Sequence, residues 1–293
     1  MGSCHGLLLL FHSMDINEAY VCNPFVGDYV KLPNPITALP RPRNVVVGFG
    51  FSAEMNDYKV VVIVYYPGLL VTDDMISRVY ACGLSDCNWR YLGESPYLVF
   101  DQSASKAVVN GIAHWVTFCP NKLIVSFDLG YEKFGIVSRP EIGLEGGSFS
   151  LGVLGGSLSV TDSSPIDCVG IWVMKEYGVK ESWTKCFNIK FSDVGWNIRY
   201  VGALCFQNND ELLFLYNNQA LFSYNVVTTR FKKISIRGLP HWFNVVPYAA
   251  SLVSLLRNTR GEQKCNELEY KRMNERRHKD MNMLGQTRVM RLT

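Results

Sequence analysis

The sequence predicts an all-β protein, a β-propeller-like (kelch-like) array of four-stranded antiparallel blades with a polar C-terminal tail. Three observations predict it. Short apolar or alternating segments follow one another along the chain, and a strand–turn–strand pattern with an aromatic residue recurs at near-regular intervals. No segment before residue 257 keeps a helical period of apolar residues over three turns.

The predicted strands are rich in Val, Ile, Tyr, Phe and Trp and are bounded by Gly, Pro, Asn and Asp. Such residues suit a pleated, half-buried surface. The segments are residues 6–11, 44–51, 58–66, 78–82, 112–118, 122–129, 151–154, 171–174, 199–206 and 211–216.

One hairpin recurs five times, as an apolar strand, a polar turn and a strand that carries an aromatic residue. Its copies are VCNPFVGDYVKL (21–32), VYACGLSDCNWRYL (79–92), IVSFDLGYEKFGIV (124–137), GIWVMKEYGVKESWTKCF (170–187) and LFSYNVVTTRFKKI (221–234). The equivalent aromatic residues are Tyr29, Trp89, Phe134, Trp183 and Phe231, at intervals of 60, 45, 49 and 48 residues.

A second hairpin precedes several of these copies. Its turns are marked by Gly6, Asn110-Gly111, Gly155-Gly156 and Asn209-Asp210. Two hairpins per unit give four strands, the size of a propeller blade. The first unit is expected to begin within a blade, and residues 241–256 could add a closing strand, so that five or six blades are possible. The alternative fold is one large β-sandwich or two smaller ones.

Charge is unevenly distributed along the 293 residues, whose formal net charge is +3. Residues 257–293 hold ten Lys/Arg and five Asp/Glu, so residues 1–256 hold 19 and 21 and have a net charge of −2. We therefore predict a folded domain at 1–256, without a nucleic-acid groove, and a flexible or partly helical tail at 257–293. Basic clusters at Lys271-Arg272 and at 276–279 fit either a solvated extension or a nuclear-import or nucleic-acid contact.

Nine cysteines, an odd number, occur without a CxxC pair, and no Asn-x-Ser/Thr glycosylation site is present. Neither a disulfide framework nor a zinc site is indicated. The apolar run at residues 7–11 is too short for a signal peptide or a membrane span. The expected location is the cytoplasm, the nucleus or both.

The sequence predicts no catalytic, cofactor-binding or metal-binding residue, and the expected protein is not an enzyme. The histidines are dispersed without metal-binding spacing, and His114, beside Trp115 in a predicted strand, is interpreted as a core residue. Four aspartates lie at predicted turns and are interpreted as backbone caps: Asp57, Asp86, Asp128 and Asp210. Trp183 is interpreted as a residue of its blade's core, with a ligand-facing ring as the alternative.

Seven segments, in order over residues 3–256, resemble the F-box-associated domain of plant F-box proteins. They are SCHGLLLL (3–10), NPFVGDYVKLP (23–33), GFGFSAEMNDYKVV (48–61), VNGIAHWV (109–116), IVSFDLGYEKFGIVSRP (124–140), WVMKEYGVKESWTK (172–185) and YAASLVSL (248–255). The string WVMKEYGVKESWTK is the most specific of them.

The resemblance implies a protein-interaction module, the part of a Skp–cullin–F-box ubiquitin ligase that recognises the substrate. In that family a separate N-terminal F-box docks the Skp-type adaptor, and these 293 residues contain no F-box pattern before the first predicted strand. We therefore expect adaptor and cullin to be partners only if an F-box is supplied elsewhere. The target protein and its binding residues are not predicted. The alternative function is a propeller-type enzyme or a carbohydrate-binding domain.

Overall fold

A computed structural model gives five four-stranded antiparallel sheets, each a meander in chain order. It describes residues 1–12, 15–34, 42, 44–66, 75–99, 107–117, 122–141, 149–165, 168–190 and 200–255. In this part of the chain the helical structure is one 3₁₀ turn, Lys180–Ser182. The prediction of an all-β propeller of four-stranded antiparallel blades is confirmed, and the number of blades, predicted as five or six, is five.

The strands divide evenly among the sheets. Sheet 1 contains β1 (Gly2–Cys4), β2 (Leu7–His12), β3 (Asp15–Asn23) and β4 (Asp28–Lys31). Sheet 2 contains β5 (Asn44–Ser52), β6 (Asp57–Tyr66), β7 (Ile76–Gly83) and β8 (Trp89–Gly93). Sheet 3 contains β9 (Ala107–Val109), β10 (Ile112–Val116), β11 (Ile124–Asp128) and β12 (Lys133–Val137). Sheet 4 contains β13 (Phe149–Leu154), β14 (Ser157–Asp162), β15 (Cys168–Met174) and β16 (Trp183–Lys190). Sheet 5 contains β17 (Val201–Phe206), β18 (Glu211–Tyr216), β19 (Ala220–Asn225) and β20 (Arg230–Ile234).

The five recurring hairpins are the third and fourth strands of the five sheets, and each equivalent aromatic residue lies in a fourth strand. The second set of predicted turns joins first and second strands, so both predicted hairpins of the repeat are confirmed. One detail is wrong. The first unit does not begin within a blade, because β1 pairs with β2 in the register Gly2↔Leu9 and Cys4↔Leu7. Three residues, two of them small and polar or Gly, are too few to show an alternating pattern.

Burial follows position within each sheet. All ten residues of β6 are buried, since neighbouring sheets cover both faces of this inner strand. Along the outer strand β20, three of five residues are exposed. Every fourth strand carries at least one Lys or Arg. A charged side chain on an open edge discourages pairing with strands of other molecules.

The hydrophobic core is shared between blades. One apolar cluster lies between each consecutive pair of sheets from 1 to 5, and a further cluster packs sheet 5 against the chain that follows it. A blade buries its faces only by stacking on its neighbours, as expected for a repeat architecture.

Residues 241–255, here named the closing segment, complete the ring. This segment is not a strand, so the prediction of a closing strand at 241–256 is wrong for its described part. It nevertheless joins sheet 5 to sheet 1, because Phe243 enters the core of sheet 5 and Leu255, 1% exposed, enters the core between sheets 1 and 2. Side chains of Ser3 and Asn23 bond to its carbonyls, and the backbone N of Phe243 donates to the carbonyl of Asn218. Pro247 has no N–H to donate to a strand ladder.

The predictions for residues 257–293 lie outside the described residues. Where the chain is described, no helix has the length and apolar character needed to cross a membrane. Seven cysteines lie in the described part, and none of them forms a disulfide bond.

Candidate functional site

Alternating strand direction gives the propeller two different faces. The turns between first and second strands and between third and fourth strands lie at one edge of every sheet, here named the turn face. The opposite edge, the loop face, carries the connections to the third strand and to the next sheet, and many of their residues lie outside the described part.

Side-chain caps fix the turns of the turn face. The last residue of the third strand accepts backbone N–H bonds in three sheets. Asp128 Oδ1 accepts from Gly130 and Tyr131 at 2.8 and 2.9 Å. Asn23 and Asn225 do the same in sheets 1 and 5. These are Asx turns, in which a side-chain acceptor supports the backbone turn.

The four aspartates predicted as caps fall into three groups. Asp128 and Asp86 cap the turns in which they lie, as expected. Asp57 instead caps the adjacent turn of its sheet, accepting from the backbone N and the hydroxyl of Ser85. At Asp210 the prediction is wrong. There Asn208 Oδ1 accepts from the backbone N of Asp210.

A three-residue ion cluster joins sheets 2 and 3 at the turn face. Lys59 Nζ, on β6, lies 2.8 Å from Glu132 Oε1, and Arg90, on β8, binds both oxygens of the same carboxylate. The side chains of Lys59 and Glu132 are 6% and 16% exposed. Burial alone would raise the pKa of Glu132, but hydrogen bonds from Arg90 and Lys59 outweigh it, and the pKa of the carboxyl lies below its usual value.

We expect Glu132→Gln to lower the free energy of unfolding by about 3 kcal/mol, since Lys59 would stay buried without its carboxylate. Because the folded pKa of Glu132 is depressed, the stabilisation is present above the unfolded pKa near 4.5 and is lost as pH falls through the lower folded value. Urea unfolding from pH 7 to pH 3 measures both effects. The control is Glu141→Gln, whose partner Lys180 is 51% exposed and whose loss is expected to cost under about 0.5 kcal/mol. Equal effects of the two substitutions would contradict the assignment.

Two tryptophans make the same contact between neighbouring blades. Trp89 Nε1 donates to the carbonyl of Pro33, just beyond the outer strand of sheet 1, at 2.7 Å. Trp183 Nε1 donates to the carbonyl of Ser138, just beyond the outer strand of sheet 3, also at 2.7 Å. Trp183 is 8% exposed and packs in the core between sheets 3 and 4, which confirms its interpretation as a core residue.

His114 is a buried structural residue, as predicted. It is 1% exposed, and its Nδ1 and Nε2 lie 3.0 Å from the carbonyl oxygen of Ala107 and 2.7 Å from the hydroxyl of Tyr177. Tyr177 belongs to the next sheet, so this contact also joins two blades. Burial lowers the pKa of His114 to about 4.

The depressed pKa of His114 predicts a pH effect on stability. The unfolded imidazole takes up a proton near pH 6.5 and the folded one near pH 4, so the free energy of unfolding is expected to fall as pH drops through this interval. In His114→Gln the stability lost between pH 7 and pH 4.5 is expected to be smaller. An imidazole NMR titration with a midpoint above pH 6 would contradict this prediction.

The segments that carry the family resemblance therefore supply contacts between the blades of the propeller. Lys59 lies in the DYKVV string, His114 in VNGIAHWV, Glu132 in IVSFDLGYEKFGIV, and Tyr177 and Trp183 in WVMKEYGVKESWTK. Each of these side chains contacts a neighbouring blade. They explain how the blades are held together.

Large apolar side chains are exposed on the turn face. Seven lie at its turns, at the end of β17 or in the closing segment: Phe25, Val26, Met55, Tyr131, Phe206, Val227 and Leu252. Their exposed fractions run from 36% at Phe206 to 81% at Leu252. The sequence patterns described above do not identify them as binding residues. The pattern that could have revealed them is apolar residues at turn tips, where Gly, Asn and Asp are usual.

A cleft of about 410 Å³ opens where the ring closes, between sheets 1 and 5 and the closing segment. We name it the closure cleft. Leu8, Leu213 and Leu221, each 1% exposed, lie at its base, and Phe206 and Tyr248 also line it. Its lining contains no Asp, Glu, Lys or Arg side chain. His5 is the one histidine in this lining. In the described part of the chain no group of three or more His, Cys, Asp or Glu residues is placed to hold a metal ion.

Comparison with known proteins identifies the family. The model of the F-box associated beta propeller domain matches residues 1–255. F-box protein At3g07870 of Arabidopsis thaliana is 33% identical over 290 residues, covering 86% of this chain and 69% of the relative. F-box protein CPR1 of the same plant is 26% identical, covering 92% and 70%.

Among solved structures, an oligogalacturonate lyase in complex with manganese has a TM-score of 0.47 and 7% identity, covering 80% of this chain and 63% of the lyase. A likeness this distant supports no argument about function. The matches to the family model and to the plant relatives agree with the five four-stranded sheets and with the seven motifs that occur in order along the chain. The chain belongs to the F-box associated β-propeller domain family.

Proposed function

We propose that this domain binds a target protein and is the substrate-recognition part of a Skp–cullin–F-box ubiquitin ligase. The propeller would hold the target. A Skp-type adaptor and a cullin would join through an F-box, wherever that F-box is supplied. The domain itself would carry out no chemistry and would need no cofactor, and it would act in the cytoplasm, the nucleus or both.

The observation that carries this proposal is the set of exposed apolar side chains on the turn face. A rigid ring of sheets presents aromatic and aliphatic residues at its turn tips, including Phe25 at 48% and Tyr131 at 69% exposure. Aromatic anchors of this kind are enriched at protein interfaces and supply much of the binding energy. Membership of the F-box associated family also supports this proposal, because the relatives of this chain are F-box proteins.

Proximity labelling in plant cells tests the proposal. A labelling enzyme is fused to the full chain, and candidate targets are proteins enriched over a fusion to an unrelated propeller. We expect at least one candidate to bind the purified chain directly, and its half-life to change when the chain is overexpressed. Enriched proteins that neither bind directly nor change in half-life would contradict the proposal.

The adaptor is tested separately with purified components. We expect the 293-residue chain alone not to retain a purified Skp-type adaptor, whereas the same chain fused behind an F-box is expected to retain it. Saturable binding of the adaptor to the chain alone, at micromolar affinity or tighter, would place a docking surface on the propeller itself.

A further inference from the structure

We propose that the closure cleft is the site where the target protein inserts an apolar segment, an inference that rests on the proposed function. The cleft lies where the last sheet meets the first. It exists because an irregular segment, rather than a strand, fills the space between the last sheet and the first.

The chemistry of the lining selects an uncharged occupant. Seventeen residues line the cleft, and none is Asp, Glu, Lys or Arg. Burial raises the pKa of the Cys4 thiol to about 11, so this lining group is neutral at physiological pH. A nucleotide, a phosphorylated peptide or an acidic sugar would find no Lys or Arg side chain to pair with, whereas an apolar side chain would cover Leu8, Leu213 and Leu221 at the base.

The size of the cleft also suits a binding site. Its volume of about 410 Å³ lies in the range of pockets that bind small ligands or a few side chains. Gln207, which lines the cleft, carries a side-chain amide that could orient a peptide backbone.

Exposed apolar residues continue from the cleft onto the turn face. Phe206, 36% exposed, lines the cleft on the side of sheet 5. On the other side, the hydroxyl of Ser251 in the closing segment donates to the carbonyl of His5, a lining residue, at 2.7 Å. The next residue, Leu252, is 81% exposed.

The hydrogen bonds of Asn23 link the closing segment around Leu252 to the turn of sheet 1 that carries Phe25. Its Nδ2 donates to the carbonyls of Ser251 and Val253, on either side of Leu252. Its Oδ1 accepts from the backbone N of Phe25, which is 48% exposed. The apolar surface therefore extends beyond the cleft along the closing segment, further than a small molecule inside the cleft would reach. This extent favours a protein segment as the occupant.

Peptide selection tests the proposal without knowledge of the target. Random peptides of about twelve residues, displayed on phage, are selected against the full chain, and the enriched peptides are synthesised. We expect them to share two or more apolar positions at a fixed spacing. Phe206→Asp and Leu252→Asp are each expected to weaken their binding about thirtyfold, the loss typical of one central anchor.

The matched control is Tyr91→Asp, which places the same charge at an exposed aromatic residue of the outer strand β8, away from the turn face. It is expected to leave peptide binding unchanged. Leu252→Asp alters a side chain that is 81% exposed, so it also separates loss of binding from loss of folding, and thermal unfolding of each variant checks this. Failure to enrich any peptide, or equal binding to Phe206→Asp and the parent, would overturn the proposal.

Two further outcomes would assign the cleft to another occupant and overturn the proposal. One is binding of an apolar fluorescent dye that Phe206→Asp abolishes while no peptide is selected, which indicates a small molecule. The other is a dimer in sedimentation velocity that Phe206→Asp dissociates, which indicates a second copy of this chain. If a captured target binds Phe206→Asp as well as the parent but no longer binds Tyr131→Asp, the proposed function stands and the closure cleft is not its site.

Discussion

A chain that ends at Leu239 is expected not to fold cooperatively, whereas a chain that ends at Leu256 is expected to unfold like the full protein. The first truncation removes Phe243 and Leu255 from two cores. Deleting a large buried apolar side chain costs about 2–5 kcal/mol. Two such losses approach the total stability of a domain, about 5–15 kcal/mol.

Circular dichroism and urea unfolding of the two truncated chains measure this difference.

Asn23→Ala tests the same closure with a single substitution. Asn23 is fully buried and donates to the carbonyls of Ser251 and Val253 at 3.0 and 2.7 Å. Leaving these carbonyls without a donor is expected to cost about 2–4 kcal/mol. A cooperative transition in the chain ending at Leu239, with an unchanged midpoint, would show that the ring does not depend on the closing segment.

Trp183→Ala is expected to lower the free energy of unfolding by about 3–5 kcal/mol. The ring lies between sheets 3 and 4 and is 8% exposed, so its removal leaves a cavity between two blades. Trp183→Phe keeps most of the apolar volume and removes the donor to the Ser138 carbonyl, and is expected to cost about 1–2 kcal/mol.

Chemical denaturation with fluorescence detection measures both variants of Trp183. Trp242→Ala provides the control, since this tryptophan is 60% exposed and its removal is expected to change the free energy of unfolding by less than about 0.5 kcal/mol. A Trp183→Ala protein with the parent's denaturation midpoint would contradict the contact between the blades.

Much of the fold was predictable from the sequence because each blade repeats a local pattern. Alternating apolar residues, Asx turns and an aromatic residue in the outer strand are all local features, and they located ten hairpin strands correctly. The strand β1 and the closing segment were not predictable in this way. Gly2–Cys4 is too short for a pattern, and residues 241–255 are held by contacts to Ser3 and Asn23, more than 200 positions away in the sequence.

The candidate site was less predictable than the fold. Glu132 is in a motif, but its partners Lys59 and Arg90 lie in another blade, and sequence spacing gives no means of pairing them. The closure cleft joins residues from both ends of the domain, such as Leu8 and Leu221. Its apolar composition is visible only after the ring is closed.

Direct titration of the chain with a captured target tests the central claim, that this propeller recognises a protein and does not act on it chemically. Purified chain and purified target are studied by isothermal titration calorimetry, and both are then recovered and analysed by mass spectrometry. The account predicts a saturable one-to-one complex, micromolar or tighter, with both masses unchanged. A target that does not bind, or whose mass is altered by the purified chain alone, would contradict it.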